Sequence, residues 1–528
     1  MRWNGGPWKA SEEWADTLFI TALTGAAFCL PWYNTGLSVA QMVMGVAVLW
    51  PVGIKRRLHK LFQRPEAFLG LGLFGLLALS LTYSDDKALG FQLLKTHIPL
   101  FSFPVALALR GGVSEGEWRR IVWAFLMGIL VAVGFNILYS VIYPSNPTAQ
   151  NHREWSRTVS HLRLGYFAAW GLMLVMEGGV RRWFSPWMAA FWVVVLGLTL
   201  LMLKSLAMLP FLIFGFLLWL RAYGVLKRPW ARWVLFGSLA GLIWIAYGVG
   251  RAYWNFQRRA DPERLRQVLA LEPPYEHWDG GFWLENGTPA FIGIHEAALE
   301  RAWSRRSSRG YWERDSKGQP VRTTLLRYLA SKGHWIKDSS AVAALSPQDI
   351  RAVEQGLTNH LMRGPLDVAG RAYEFFWEWR QFRKDQDPRG RSLATRWALW
   401  QAGLAACRAH LRRGVGLGDV REAVSEILDA QRSPLIYEKK FGLHQQWLGL
   451  ILAGGIPLFG WTLLFLLWPF FLRQPVFFVG KDGYMLFFFT LLILGCGMWE
   501  DIFETQASVT FFSFFLALLQ NSVKTSRS

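Results

Sequence analysis

Runs of close to 20 apolar residues with few charges recur along this chain, and each is long enough to cross about 30 Å of hydrocarbon as a helix. Backbone inside lipid must satisfy its own hydrogen bonds, so such a chain has to build a helix bundle. The pattern predicts twelve spans, at about 17–34, 36–53, 66–83, 88–109, 119–143, 159–179, 184–202, 205–221, 231–249, 446–472, 484–499 and 507–520. KTHIP (95–99) interrupts the fourth. Composition agrees: 52% of the 528 residues are hydrophobic and 18% are charged, where a soluble chain averages about a quarter. The expected fold class is an all-α polytopic membrane protein of about 12 transmembrane helices, embedded in a lipid bilayer, with one large extracytoplasmic, mainly helical loop domain.

The net charge of +20 does not mark a nucleic-acid binder, because much of it lies in short loops between apolar segments. KRRLHK (55–60), RGGVSEGEWRR (110–120), Arg181 and Arg182, RAYGVLKRPWAR (221–232), FLRQPVFFVGK (471–481) and KTSRS (524–528) fall on one side of the expected bundle. Short basic loops stay in the cytoplasm, so both termini are expected there. YNTG (33–36), SDDK (84–87), YPSNPTAQNHREWSR (143–157) and EDIFET (500–505) fall on the other side, with everything from about 251 to 441. The expected organisation is therefore 1–250 as an N-terminal bundle of about nine helices, 251–441 as a periplasmic loop domain, and 442–528 as a C-terminal bundle of about three helices. MRWNGGPWKASEEWAD lacks the short apolar core and small-residue cleavage site of a signal peptide. Three cysteines imply no disulfide framework.

Within the long loop, HEAALERAWSRR (295–306), PQDIRAVEQGLTNHLMR (347–363) and GRAYEFFWEWRQFRKD (370–385) carry helical periodicity with aromatic faces. No strand alternation of useful length is present. HEAALE lacks the second histidine of a zinc-protease motif, and no metal site is expected. RGVGLGD (413–419) lacks the Gly-Lys-Ser/Thr ending of a nucleotide loop and reads as a tight turn.

Ionisable residues at membrane depth or at helix mouths point to function. On the expected outer side they are His161 and Arg163 in RTVSHLRLGYF, Lys204 beside Ser205 in LMLKSLAM, Arg396 in ATRWALWQAGL, His444 at the head of HQQWLGLILAGGIP, and Glu500, Asp501 and Glu504. Taken singly, an Arg or Lys at a helix end reaches for headgroups, and a His at a helix start caps it. Their convergence on one side favours a shared site. No nucleotide pool exists outside the cytoplasm, so a transferase there must draw on a donor carried through the membrane, and lipid-linked diphosphates are such donors. Arginine binds phosphate oxygens in pairs, and histidine is the natural base for a hydroxyl acceptor near neutral pH.

Three stretches resemble the O-antigen ligase and O-antigen polymerase family of bacterial envelope proteins. TRWALWQAGLAACRAHLRRGVGLGD (395–419) is similar to that family's Arg, Trp four residues later, amphipathic helix and G-x-G-x-G-D; Trp400, Gly414, Gly416, Gly418 and Asp419 match it. HQQWLGLILAGGIPLFG (444–460) is similar to its His, ten residues, Gly spacing, closed here by Gly455. EDIFETQASVTFFSFFLAL (500–518) is similar to its last outer loop and closing helix. The resemblance implies a metal-independent, cofactor-free inverting glycosyltransferase of the bacterial inner membrane with its site facing the periplasm. Its donor would be a glycan on undecaprenyl diphosphate. Its acceptor would be a lipid A–core hydroxyl in a ligase, or a second lipid-linked repeat unit in a polymerase. By the same resemblance Arg396 binds the donor diphosphate and His444 deprotonates or orients the acceptor. Arg163, His161, Lys204, Arg391 and Arg157 complete the anionic pocket, and Glu500, Asp501 and Glu504 assist. Departures are Gln445 where the family often has Asn, Lys204 where it has Arg, Leu411 for a frequent Pro, and an insertion over about 251–390 with no counterpart. A transporter of the same lipid-linked glycan is the alternative outside this class; it should show paired halves or helices broken at midplane, and the sequence shows no such repeat.

Overall fold

The computed structural model describes residues 7–50, 54–143, 156–203, 208–225, 229–278, 283–362, 368–389, 391–437, 442–471, 478, 480, 481 and 483–522. In chain order it builds helices α1 (Pro7–Cys29), α2 (Asn34–Val48), α3 (Ile54–Phe62), α4 (Pro65–Ser80), α5 (Lys87–Thr96), α6 (Pro99–Arg110), α7 (Glu115–Ile142), α8 (His161–Val180), α9 (Pro186–Met202), α10 (Leu209–Ala222) and α11 (Pro229–Gln257). There follow α12 (Pro262–Leu269), strands β1 (Leu284–Glu285) and β2 (Thr288–Pro289), α13 (Glu296–Ser304), α14 (Val321–Ser331), α15 (Ser339–Ala343), α16 (Pro347–Glu354) and α17 (Val368–Asp385). The chain continues through α18 (Ser392–Ala409), α19 (Val420–Ala430), α20 (Gln446–Phe471), α21 (Tyr484–Cys496) and α22 (Gln506–Ser522). It divides into two compact units, Met1–Arg232 with Asp387–Ser528, and Trp233–Gln386.

The first unit is built around α22, in which every residue from 507 to 521 is buried. A helix hidden on all sides can carry polar residues only if each finds a partner. The Ser508 hydroxyl lies 2.6 Å from that of Tyr166, the Thr510 hydroxyl accepts from the Gln41 amide at 3.1 Å, the Ser513 hydroxyl donates to the Pro99 carbonyl, and the Gln520 amide donates to the Phe465 carbonyl at 3.3 Å. Between these contacts Phe511 packs 4.7 Å from Phe167 and Phe515 4.9 Å from Phe125, ring centre to ring centre. The outer faces of the unit are apolar: Met42, Val46, Trp187, Val194 and Leu198 all stand exposed, an arrangement suited to lipid rather than water.

Among the described residues four segments are long and apolar enough to cross a membrane: Pro65–Tyr83, Lys87–Arg110, Glu115–Ile142 and Gln446–Phe471. α2, α9, α10 and α21 are apolar but shorter. The fourth expected span is two helices, α5 and α6, which meet at His97. Pro99 has no N–H to continue the ladder, and the buried His97 Nδ1 lies 2.7 Å from the Leu93 carbonyl at the break.

α20 is itself broken, at Gly454 (φ −146°) and Gly455 (φ +70°), ahead of Pro457. Two of the backbone groups at the break bond to the segment after α18. The Val415 N–H donates to the Leu452 carbonyl at 2.7 Å, and the Ile456 N–H to the Leu411 carbonyl at 2.8 Å. The glycine pair therefore admits the 411–415 backbone. A Cβ on Gly455 would stand 2.6 Å from the Arg412 carbonyl, and one on Gly414 2.4 Å from the Leu452 oxygen. The other edge of this turn docks on residues 83–86. The Gly418 N–H donates to the Ser84 hydroxyl at 3.1 Å, the Tyr83 hydroxyl donates to the Arg413 carbonyl at 2.7 Å, and the Asp419 carboxylate accepts the N–H groups of Asp85 and Asp86 at 2.7 and 2.8 Å. RGVGLGD is thus a structural turn.

The segment expected as one domain, 251–441, is divided. α18 and α19 pack on the first half of α20 through Leu399, Ala402, Val424, Leu448 and Leu452, so the contacts of residues beyond Gln386 lie in the membrane unit. The second unit has its own core of Trp303, Tyr311, Leu325, Tyr328 and Val353. Its buried Glu285 carboxylate accepts from Arg327 at 2.6 Å, Asn359 at 2.9 Å and the Tyr373 hydroxyl at 3.0 Å. β1 and β2 form a two-residue hairpin turned by Asn286 (φ +51°) and Gly287 (φ +85°), both left-handed as the tight hairpin turn demands.

Gly455→Ala should destabilise the protein by about 2 kcal/mol or more, since a positive φ and a carbonyl within contact distance both oppose the new methyl. Gly460→Ala, in the same helix with nothing within 4 Å of its Cβ position, should be neutral or mildly stabilising. Thermal aggregation of the purified variants checks both, and equal melting points would refute the docking.

Candidate functional site

His444 sits just before α20 with φ +50°, a conformation uncommon for a residue that carries a Cβ. Asp501, in the turn after α21, holds it there: one carboxylate oxygen accepts the His444 N–H at 2.8 Å and the other the Gln445 N–H at 2.9 Å. The Gln445 side chain then caps α20, accepting the Leu448 N–H at 2.6 Å in the manner of an N-cap residue. Gln446 ties the two segments of the site together, its N–H donating to the Gly497 carbonyl at 2.8 Å and its side-chain oxygen accepting the Phe503 N–H at 2.7 Å. Gly442 has to be glycine, because a Cβ there would lie 2.4 Å from an Asp501 oxygen.

With the backbone fixed, the imidazole meets Glu500. His444 Nδ1 stands 3.4 Å from Glu500 Oε2 and 4.0 Å from Asp501 Oδ2. The hydrogen bond to Glu500 raises the histidine above its ordinary pKa; burial opposes it, the charges of Asp501 and Glu500 add to it, and Arg396 counters. On the Glu500 carboxyl, burial works upward, but the His444 hydrogen bond and the charges of His444, Arg396 and Arg163 hold it below the usual carboxylate range. Asp501 is pushed up by burial against the pull of its two amide donors. Glu504 is pushed up to about 7 by burial and by the Asp501 charge, although Arg421 Nη2 lies 3.4 Å from its carboxylate.

Arg396, on α18, and Arg163, on the first turn of α8, both act electrostatically on Glu500. Both are only partly buried, and neither guanidinium has a hydrogen bond or ion pair among the described residues. A half-buried arginine without a partner is costly unless something anionic completes it. The site thus offers two open cations beside a histidine whose orientation is fixed by a carboxylate.

Of the other expected residues, His161 opens α8 two positions before Arg163. Arg157 lies with its guanidinium 5.0 Å from the Tyr139 ring centre, and its N–H donates to the Asn136 side chain at 2.9 Å. Arg391 donates to the Asp387 carbonyl at 2.6 Å. These bonds tie Arg157 to Asn136 and Tyr139, and Arg391 to Asp387. Lys204 lies outside the described residues. The Trp400 ring lies tilted 5.7 Å from that of Trp499, next to Glu500 in sequence. Gly414, Gly416, Gly418, Asp419 and Gly455 build the turn already described. Sequence reasoning missed Gly442, Gln446 and Arg421. Only the places of the first two beside His444 hinted at a role, since each of the three matters through an atom it meets across the fold.

The paired pKa shifts fix the sign of a pH effect. A histidine raised above about 6.5 contributes stability that is complete below that value and is lost as pH rises through its folded pKa. Glu500→Gln should therefore lower the melting point most near pH 6, and the gap to the parent protein should narrow toward pH 9 to the part that Arg396 and Arg163 maintain. A gap that widens with pH would mean that His444 and Glu500 do not pair. No family model matches this chain, and no curated protein matches it.

Proposed function

We propose that this protein is an O-antigen ligase-like glycosyltransferase that works on the periplasmic face of a bacterial inner membrane through about twelve spans. The observation that carries the reading is the meeting of His444 and Glu500 with the unpartnered Arg396 and Arg163. The two guanidiniums fit a diphosphate, which offers oxygens to more than one cation at once. Glu500 at Nδ1 sets the imidazole so that Nε2 can take a proton. In the reaction, the acceptor hydroxyl oxygen attacks the anomeric carbon while its proton passes to His444. The bond from that carbon to the diphosphate oxygen breaks, and undecaprenyl diphosphate departs with the bonding pair against Arg396 and Arg163. Attack opposite the leaving group inverts the anomeric centre. Asp501 positions the histidine backbone.

A polymerase would use the same machinery with a lipid-linked repeat unit as acceptor. A transporter is less well supported. At the helix break at Gly454–Gly455 the Leu452 carbonyl and the Ile456 N–H are bonded to the 411–415 backbone rather than open to a passing substrate.

In a strain lacking the gene, the parent protein should restore polymer on lipid A–core. His444→Ala should reduce transfer by about 10²–10⁴-fold, the range for loss of a general base, with protein level and membrane insertion unchanged. Full activity in that variant would remove the base role. Arg396→Lys should also be severe, because a point charge cannot replace a bidentate fork; a mild effect would reduce Arg396 to a structural residue. Accumulation of long lipid-linked chains in the deletion strain identifies a ligase, and single-repeat products identify a polymerase. EDTA should leave transfer intact, since arginines carry the diphosphate charge in this scheme.

A further inference from the structure

The second unit holds a pocket of about 520 Å³ that this chemistry does not use, lined by Glu276, His277, Trp278, Ile294, Glu296, Trp312 and Arg322. Its size falls within the range of small-ligand sites, about 300–1,000 Å³. Trp278 and Trp312 are 66% and 61% exposed. A single exposed tryptophan needs no explanation, but two at one pocket beside convergent polar groups do.

The polar wall is rigid. Arg322 donates from Nε and Nη2 to the two oxygens of Glu296, each at 2.8 Å, and the buried Tyr311 hydroxyl donates to Glu296 at 2.6 Å. The Trp312 ring is fixed by its own N–H, which donates to Glu300 at 3.0 Å, and the Trp278 ring stands edge-on to Phe291 at 5.6 Å. His277 is committed to the scaffold: its Nδ1 accepts the Gly293 N–H at 3.1 Å, which leaves Nε2–H for the Leu271 carbonyl at 3.3 Å. Rings and charges are therefore set before any ligand arrives, which lowers the ordering cost of binding.

The charges select the ligand. Two carboxylates face one guanidinium, so a phosphate or sulfate would meet net repulsion. A quaternary ammonium would meet Arg322, whose guanidinium carbon lies 6.0 Å from the Trp312 ring centre. A sugar ring suits both features. Its C–H face lies on an indole, and its hydroxyls donate to carboxylates and accept from a guanidinium. We propose that this pocket is a saccharide-binding site that takes one or two pyranose rings of a neutral glycan. The proposal goes beyond the transfer reaction and does not depend on it.

The test uses the full chain in lipid nanodiscs, which avoids detergents with sugar headgroups, on a printed array of neutral bacterial oligosaccharides. The parent protein should bind at least one glycan. The Trp278→Ala, Trp312→Ala double variant should bind it at least tenfold more weakly, and Glu276→Gln should weaken it with the rings intact. Trp254→Ala, at an exposed ring elsewhere in the unit, should bind as the parent does. Circular dichroism establishes that the variants fold. Absence of glycan binding by the parent, equal binding by the double variant, or displacement by choline rather than by free sugar would overturn the proposal. If the parent binds glycan while His444→Ala keeps full transfer, the saccharide site stands and the transferase reading falls. If His444→Ala loses transfer while the parent binds no glycan, the transferase reading stands and the saccharide site falls.

Discussion

Asp501 accepts two consecutive amide hydrogens, those of His444 and Gln445, and this pair of bonds lets a residue with a side chain hold a left-handed backbone where α20 begins. Such a conformation costs about 1–3 kcal/mol and persists only where its surroundings determine it. Much else follows from that anchor. It turns the imidazole toward Glu500, places Gln445 to cap the helix, and requires a glycine at 442 so that the carboxylate can come close. Neighbouring carboxylates thus divide the work, Asp501 holding the main chain and Glu500 the ring. Their opposite pKa shifts follow from that division, since Glu500 faces three cations and Asp501 faces mostly amides and another acid.

A second clamp sets the distance between Arg396 and His444. α18 carries the arginine and runs into the glycine turn, and that turn is bonded on one edge to residues 83–86 and on the other to the break in α20. The break joins a first half without proline to a second half that carries Pro457 and Pro469, and it supplies the amide and carbonyl that the turn needs. The glycines at 414, 416 and 455 are there because backbone meets backbone with no room for a methyl.

The bundle was legible in the sequence because apolar length is a local property. Each described helix from α4 to α9, and each of α20 to α22, coincides with an expected apolar stretch to within a few residues at its ends, α5 and α6 sharing one. The His444 cluster was legible only as convergence on one side, and the pairing of His444 with Glu500 required α20 and the α21–α22 turn to be brought together. Other features were hidden by the nature of the signal. Gly454 and Gly455 announce close approach but not what approaches. Arg157 and Arg391 resemble Arg396 in sequence, and the Tyr139 ring and the Asp387 carbonyl that they meet could not be read there. The Asn286–Gly287 hairpin carries a strong turn signal, but strands of two residues give no alternation to read. The boundary at Gln386 was missed because it depends on the surface that α18 and α19 cover, the first half of α20, which lies far away in sequence.

The burial of α22 has a consequence for how the protein is made. The described helices that pack on it precede it in the chain, so they must leave a slot whose lining includes the Tyr166 hydroxyl, the Gln41 amide and the Pro99 carbonyl. Until α22 enters, these groups face lipid or a thin file of water, and the bundle around them stays loose. The same late segment delivers Glu500, Asp501 and Glu504, which lie immediately before it. Assembly of the His444 cluster and closure of the bundle are therefore one event. A chain without that segment lacks the carboxylates that aim the histidine.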